Sequence, residues 1–188
     1  MLSLIGMPGS GKSTVGRHLA RRLSVQFADT DTILEHRIGE SIRDFFAREG
    51  EESFRNIECE ELAKLIGAMD GVVATGGGIV LREENRQRLH AGTTCIYLRS
   101  SPEVLFRRLR HDTKRPLLQT PDPLARLREL FAQRDSLYRQ AAHFVVETGR
   151  PSVATLVNMI VMQLELAGAI GIAKDLPDPE ISQGMGLA

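Results

Sequence analysis

Residues 6–13 read G-M-P-G-S-G-K-S, and Thr14 follows them. The segment satisfies the pattern G-x-x-x-x-G-K-[ST], whose glycines allow successive backbone N–H groups to point at phosphate oxygens. The helix that follows such a loop adds the partial positive charge of its N-terminus. Lys12 can reach the β- and γ-phosphates of a nucleotide, and the Ser13 hydroxyl can ligate Mg²⁺. The spacing therefore predicts a nucleoside triphosphate site formed by Gly9, Ser10, Gly11, Lys12, Ser13 and Thr14.

Two carboxylates, Asp29 and Asp31, follow the second apolar run of the chain. The third apolar run ends in glycines, so the usual magnesium-binding aspartate must come from elsewhere. In an open parallel sheet the C-terminal ends of neighbouring strands face one crevice, which lets Asp29 share a metal ion with Ser13. Asp31 would then lie near the γ-phosphate, where it could accept a proton from an attacking hydroxyl or orient it. The alternative for Asp31 is a structural role at a helix N-terminus.

Glycines and arginines further along the chain are additional candidates. Residues 76–78 are three glycines, which would let a ligand lie against the backbone, although a tight turn also explains them. Arg55 precedes Glu58 by three positions, and this spacing alone favours an exposed ion pair worth about 0.3–0.5 kcal/mol. Arg134 lies among apolar residues of a long helix, where a surface arginine beside the core is the simpler interpretation.

The elements that must position these residues alternate between short apolar runs and helical patterns. This alternation predicts a parallel sheet covered by helices. Strands are expected at 2–5, 25–28, 72–74, 94–98 and 144–146. Helices are expected after the glycine loop, between Ser41 and Gly50, at 52–66, from 102, at about 124–140 and from 153. Residues 111–123 contain three prolines and no clear period, which predicts a mobile surface loop, and the tail from 171 is expected to pack weakly.

The composition excludes several classes of protein. Among 188 residues, 24 basic and 24 acidic side chains balance, which argues against a globally basic nucleic-acid binder, and 5% aromatic content leaves few stacking platforms. No apolar run approaches the ~20 residues that span a membrane. The first residues lead directly into the glycine loop, so we expect no signal peptide. Cys59 and Cys95 lack metal-ligand spacing and are expected to be reduced thiols of a cytoplasmic protein.

Taken together, these residues resemble the shikimate kinase family of nucleoside monophosphate kinase-like P-loop proteins. The resemblance covers about residues 1–165 and includes D-T-D at 29–31, S-I-R-D-F-F at 41–46, E-S-F-R-N-I-E at 52–58, G-G-G at 76–78, R-P-L-L at 115–118 and R-D-S-L-Y at 134–138. It implies a three-layer α/β/α fold around a five-stranded parallel sheet. It also implies one domain over residues 1–170, with a helical substrate-binding segment at about 31–62, a lid loop at 110–123 and a tail at 171–188.

The resemblance implies transfer of the γ-phosphoryl group of ATP to the 3-hydroxyl of shikimate, with Mg²⁺, in the pathway to aromatic amino acids. It makes Asp31 the base that binds the substrate hydroxyls, and it makes Arg115 a lid residue that closes on the phosphates. Catalysis would be positioning plus charge stabilisation by Lys12, Mg²⁺ and Arg115. For the nucleotide, it places Arg108 on adenine, whereas Arg150 lies in a short turn that matches the family's adenine loop only weakly.

The resemblance also gives a shared purpose to residues that spacing alone left ambiguous. A carboxylate substrate needs a planar, bidentate cation, which arginine supplies and lysine does not. The residues that would hold the substrate carboxylate or form the wall beside it are Arg55, Arg134, Gly76, Gly77 and Gly78. Those that would surround this pocket are Phe46, Phe54 and Glu58.

Two alternatives stay open at this point. A gluconate kinase also acts on a carboxylate with hydroxyls, although the glycine segment with Arg55 and Arg134 favours shikimate. A relative without activity that binds a nucleotide or an acid would be expected to lack Lys12, Asp31 or Arg115, all of which are present. The resemblance finally implies a monomer whose partners are ATP and a small acid, and the composition argues against nucleic acid or a membrane as a partner.

Overall fold

The computed structural model describes residues 1–110 and 120–170. Its strands are β1 (Leu2–Ile5), β2 (Gln26–Asp29), β3 (Gly71–Ala74), β4 (Thr94–Arg99) and β5 (Phe144–Glu147). Its α-helices are α1 (Lys12–Leu23), α2 (Thr30–Ile38), α3 (Ile42–Ala68), α4 (Glu83–Gly92), α5 (Pro102–Leu109), α6 (Pro123–Ala141) and α7 (Val153–Leu166). A short 3₁₀ helix, Ile79–Leu81, follows β3.

All five strands are parallel, in the order β2-β3-β1-β4-β5. The strand β1 lies at the centre, with Leu2 opposite Val72 of β3 on one side and opposite Thr94 of β4 on the other. The order reverses here, and the loops after β1 and β3 therefore meet at one edge of the sheet. The predicted α/β architecture with a five-stranded parallel sheet is confirmed.

Helices cover both faces of the sheet, because residues of each strand alternate between two cores. On β4, Ile96 and Leu98 pack with α1 and α7, whereas Cys95 and Tyr97 pack with α3, α4, α5 and α6. A third, smaller cluster lies between α2 and α3 and consists of Leu34, Phe45 and Phe54. This arrangement gives the three expected layers, with a small separate core beside them.

The helix α3 consists of two helical segments that meet at Gly50. Gly50 has φ 80° and ψ 169°, a conformation that other residues rarely adopt. The first segment begins as the sequence predicts, because Asp44 N donates to the Ser41 hydroxyl at 3.1 Å. Gly50 therefore ends one predicted helix, and the next begins directly after it.

Two helices were not among the predicted elements. The helix α2 buries only Thr30 and Leu34, and α4 buries only Asn85 and Leu89. Neither helix therefore has a strong apolar period. Val25 was predicted to open the second strand but precedes β2 and is exposed. Within the described ranges, no helix combines the length and apolarity needed to cross a membrane. Most of the predicted lid loop, including Arg115, and the tail at 171–188 lie outside the described residues.

Candidate active site

The glycine loop runs from the end of β1 to the start of α1. Gly6 is required there because a Cβ would lie 2.6 Å from the carbonyl oxygen of Leu98, and Gly11 has φ 97°. The Lys12 side chain is buried and folds back over the loop, with Nζ donating to Gly6 O at 2.8 Å and to Met7 O at 3.0 Å. Backbone geometry therefore shapes the loop, and its lysine lies across it.

Ser13 and Asp29 come together at the edge of the loop. The Ser13 hydroxyl donates to Asp29 Oδ2 at 2.6 Å, although the two residues are sixteen positions apart. The register explains this proximity, because Asp29 lies opposite Ala74 at the end of β3, next to β1. A hydroxyl and a carboxylate oxygen suit Mg²⁺, which usually takes the rest of its ligands from water and phosphate. The donor set therefore fits the predicted metal site.

Asp29 also begins the helix α2. Its Oδ1 accepts a hydrogen bond from Asp31 N at 3.1 Å, which is the N-cap arrangement considered for Asp31. The cap is therefore Asp29, and Asp31 lies in the first turn of α2, exposed towards the cavity. A Cβ on Gly76 would lie 2.6 Å from Asp31 Oδ1 and 3.2 Å from Glu58 Oε1. Gly76 thus lies between two carboxylates from different helices.

The Arg55–Glu58 pair is buried, so the expectation of an exposed ion pair is wrong. Arg55 Nη1 donates to Glu58 Oε2 at 2.6 Å, and the two side chains are 11% and 1% exposed. The spacing predicted the contact but not the burial, because burial depends on elements distant in the sequence. Desolvation raises the pKa of Glu58 even though Arg55 lowers it, and the nearby Asp31 carboxylate raises it further. The rings of Phe46 and Phe54 lie 5.6 and 5.3 Å from the guanidinium of Arg55.

The glycines at 76–78 are required by side chains that pack against them. None of the three has a positive φ, so the turn that they form does not require glycine. A Cβ on Gly78 would overlap the guanidinium of Arg55, and a Cβ on Gly77 would lie 2.8 Å from Pro8 Cδ in the glycine loop. The segment therefore lets Asp31, Arg55 and Pro8 approach one backbone stretch closely. Its predicted role as a wall for a ligand stays a prediction.

Arg134 turns towards the same segment, which the interpretation as a surface arginine did not predict. Its Nη1 donates to Gly77 O at 3.3 Å. Its Nε is buried and has no hydrogen-bond partner among the described residues. A buried N–H without a partner costs free energy.

The two arginines predicted for the adenine end differ in placement. Arg108 donates from Nη1 to Thr148 Oγ1 at 3.3 Å and from Nη2 to Thr148 O. It also approaches Ser10 O at 3.4 Å, and burial lowers its pKa. Arg108 therefore links the glycine loop to the turn after β5. Arg150 is exposed and does not line the cavity, whereas the next residue, Pro151, does.

A cavity of about 1100 Å³ lies beside the glycine loop, and Asp31, Arg43, Phe46 and Arg108 are among the residues that line it. Gly77 also lines it, whereas Arg55 and Arg134 lie behind this lining. The sequence did not single out Arg43, Thr30 or Tyr138. Thr30 Oγ1 accepts from Gly76 N at 2.9 Å, and the Tyr138 hydroxyl donates to Gly77 O. All three lie inside motifs quoted above, but only the folded chain reveals their partners.

The glycine loop between β1 and α1 of this parallel sheet defines a P-loop nucleotide-binding protein. The family model described as shikimate kinase matches residues 8–165. A shikimate kinase of Paracidovorax citrulli is 58% identical over 170 residues, which cover 89% of this chain and 93% of the relative. One of Ralstonia nicotianae is 54% identical over 166 residues, which cover 88% and 87%. The chain belongs to the shikimate kinase family.

Solved structures agree with this assignment. A shikimate kinase from Acinetobacter baumannii in complex with shikimate superposes with a TM-score of 0.84 at 38% identity, covering 90% of this chain and 94% of the other. A gluconokinase from Sinorhizobium meliloti has a TM-score of 0.54 at 19% identity, covering 89% and 93%. The second likeness shows a shared fold alone.

Proposed function

We propose that this chain transfers the γ-phosphoryl group of ATP to the 3-hydroxyl of shikimate, giving shikimate 3-phosphate and ADP. The observation that carries the proposal is the position of the glycine segment at 76–78, which lies against Pro8 of the glycine loop and against Asp31 and Arg55. A phosphate-binding loop and an acid-binding pocket thus share one backbone stretch. Two reacting groups held in this way meet without a bimolecular search.

On the phosphate side, backbone N–H groups of the loop and Lys12 would hold the β- and γ-phosphates. The Lys12 ammonium now contacts Gly6 O and Met7 O, so nucleotide binding would move it onto phosphate oxygens. Ser13 and Asp29 would hold Mg²⁺, which would neutralise phosphate charge when bound.

On the acceptor side, Asp31 would accept the proton of the 3-hydroxyl. The hydroxyl oxygen then bonds to the γ-phosphorus while the bond to the β,γ-bridging oxygen breaks, and ADP leaves. Arg55 and Arg134 would hold the shikimate carboxylate, because guanidinium groups match a carboxylate with paired N–H donors. Glu58 would orient Arg55 through their 2.6 Å hydrogen bond.

Further parts of the proposal rest on the family resemblance. Arg115 would add positive charge over the phosphates, and Arg108 and Arg150 would contact adenine. We propose one domain over residues 1–170, with the substrate-binding segment at 31–62, the lid at 110–123 and the tail at 171–188. We also propose that the protein acts as a monomer in the cytoplasm, and light scattering after size exclusion would test the monomer.

The test is ADP release by the purified chain with MgATP, with and without shikimate, and with gluconate or a nucleoside monophosphate in parallel. Shikimate alone should stimulate release, and ³¹P NMR should identify the product as a phosphate monoester. Lys12→Met should lose the stimulation. Stimulation by gluconate instead would contradict the acceptor assignment while leaving the P-loop kinase in place. No stimulation by any acceptor, with ATP still bound, would contradict the proposed activity.

A further inference from the structure

A buried tyrosine hydrogen-bonds the glycine segment where that segment packs against the phosphate loop. The Tyr138 hydroxyl, on α6, donates to Gly77 O at 2.5 Å. Arg134, one turn earlier on the same helix, donates to the same oxygen from Nη1 at 3.3 Å. A carbonyl oxygen has two lone pairs, so this one is fully used by two side chains of α6.

Gly77 also contacts the glycine loop. A Cβ there would lie 2.8 Å from Pro8 Cδ and 2.9 Å from Pro8 Cγ, which leaves no space between the two segments. Gly77 therefore contacts Pro8 of the glycine loop and Tyr138 of α6 at once. Because Arg134 and Tyr138 both donate to Gly77 O, the Tyr138 hydroxyl also affects the orientation of the Arg134 guanidinium.

A second buried tyrosine provides a natural comparison. Tyr97 of β4 stacks on Tyr138 with ring centroids 4.8 Å apart, and both side chains are fully buried. The Tyr97 hydroxyl, however, donates to Asp135 Oδ1 at 2.9 Å, and Arg99 Nε also reaches that carboxylate at 2.9 Å. Burial raises the pKa of both phenols, so each stays a hydrogen-bond donor at ordinary pH. The two hydroxyls thus share a stack but have different acceptors.

We propose that Tyr138 is a positioning residue for acceptor binding, acting by fixing the Gly77 carbonyl between α6 and the phosphate loop. With that oxygen held by the phenol, Arg134 keeps its other N–H groups for the acceptor carboxylate. Tyr138 itself is fully buried and does not line the cavity, so it would act through Gly77 and Arg134. The inference rests on the proposed function, because it assumes that shikimate binds beside the glycine segment.

The experiment compares Tyr138→Phe with Tyr97→Phe. Each change removes one buried hydroxyl and keeps the stacked ring, and Gly77 O keeps its bond from Arg134, so neither variant should lose the fold. Tyr138→Phe should raise KM for shikimate about fivefold to tenfold, the usual effect of one hydrogen bond, with KM for ATP within about twofold. Tyr97→Phe should change both constants by less than about twofold. Equal effects of the two variants, or equal rises of both KM values in Tyr138→Phe, would overturn the proposal.

Ligand-dependent thermal stabilisation gives a second readout that does not need turnover. Shikimate should raise Tm less in Tyr138→Phe than in the parent, whereas MgADP should raise it equally in both. A shikimate effect that survives intact in Tyr138→Phe would contradict the positioning role. The two proposals also fail differently: a parent protein without shikimate-stimulated ADP release contradicts the proposed function, whereas an active parent with indistinguishable tyrosine variants contradicts only this inference.

Discussion

The proposed phosphate side and the proposed acceptor side of the site are built in opposite ways. The phosphate side comes from one continuous stretch of chain, whose shape depends mostly on backbone geometry. Ser13 and Thr14 of this stretch are exposed. The acceptor side joins α2, α3, the glycine segment and α6, and its central pair, Arg55 with Glu58, is almost fully buried. Local backbone dipoles bind phosphate well at a surface, whereas selection of a carboxylate depends on interlocked, desolvated side chains.

This difference predicts how each side responds to substitution. A change on the acceptor side should propagate, because Asp31, Arg55 and Arg134 all lie against the same three glycines. The affinity for nucleotide should stay close to that of the parent in such variants, because the shape of the glycine loop depends on its own backbone geometry. Variants that weaken nucleotide binding and acceptor binding equally would contradict this difference.

Asp31→Asn should have the largest effect. The amide keeps the size of the side chain but cannot accept the hydroxyl proton, so kcat should fall about 10²- to 10⁴-fold. MgADP affinity, measured by calorimetry, should stay within about threefold. The control is Asp70→Asn, an exposed carboxylate next to the N-terminus, which should leave kcat unchanged. A nearly active Asp31→Asn variant would show that another group is the base.

Gly78→Ala should be the next most harmful change. Its Cβ would overlap the guanidinium of Arg55, and relief of such overpacking typically costs about 1–3 kcal/mol. We expect kcat/KM for shikimate to fall about 10- to 100-fold, with KM for ATP nearly unchanged. The matched control is Gly67→Ala in α3, where a Cβ meets nothing within 4 Å. Full activity of Gly78→Ala would mean that Arg55 has room to move and that the close packing is unimportant.

Arg55→Lys tests whether shikimate binding depends on the paired N–H donors of the guanidinium as well as on its charge. A lysine keeps the cation but not the paired N–H donors, so KM for shikimate should rise about tenfold while kcat changes less. Arg48→Lys is the control, because Arg48 is an exposed, ion-paired arginine of the same helix. If both variants bind shikimate equally well, the carboxylate is held elsewhere.

Glu58→Gln should give the smallest effect, visible in the pH dependence of stability. The pKa of Glu58 is raised above its ordinary value of 4.5 in the folded state, chiefly by burial. Its contribution to stability is therefore fully present below pH 4.5 and is lost as the pH rises through the raised value. The difference in free energy of unfolding, parent minus variant, should shrink from pH 4 towards pH 7 in urea titrations.

Glu60→Gln is the control for this trend, because a hydrogen bond from Arg37 lowers the pKa of exposed Glu60. Its contribution is present above the ordinary value and is lost as the pH falls, so any difference should grow with pH. A Glu58 difference that also grows with pH would contradict the role of burial.

The same contrast decides what could be predicted from the sequence. The glycine loop and the meeting of Ser13 with Asp29 were predictable, because they depend on a local pattern and on the order of parallel strands. The burial of Arg55 and the orientation of the Arg134 side chain were not predictable, because both follow from the packing of distant segments around the glycines. The helix α4 was missed because its sequence is nearly all polar.

The small cluster of Leu34, Phe45 and Phe54 affects how readily α2 and α3 can open locally. It is separate from the two large cores of the sheet and ties α2 to both segments of α3 across Gly50. A unit with so little buried apolar surface can open without unfolding the sheet. We expect amide hydrogens of α2 and of the first segment of α3 to exchange faster than those of β1, and shikimate to slow that exchange. Shikimate binding would then have to order the least stable part of the site. That requirement would contribute to the selectivity of the acceptor side.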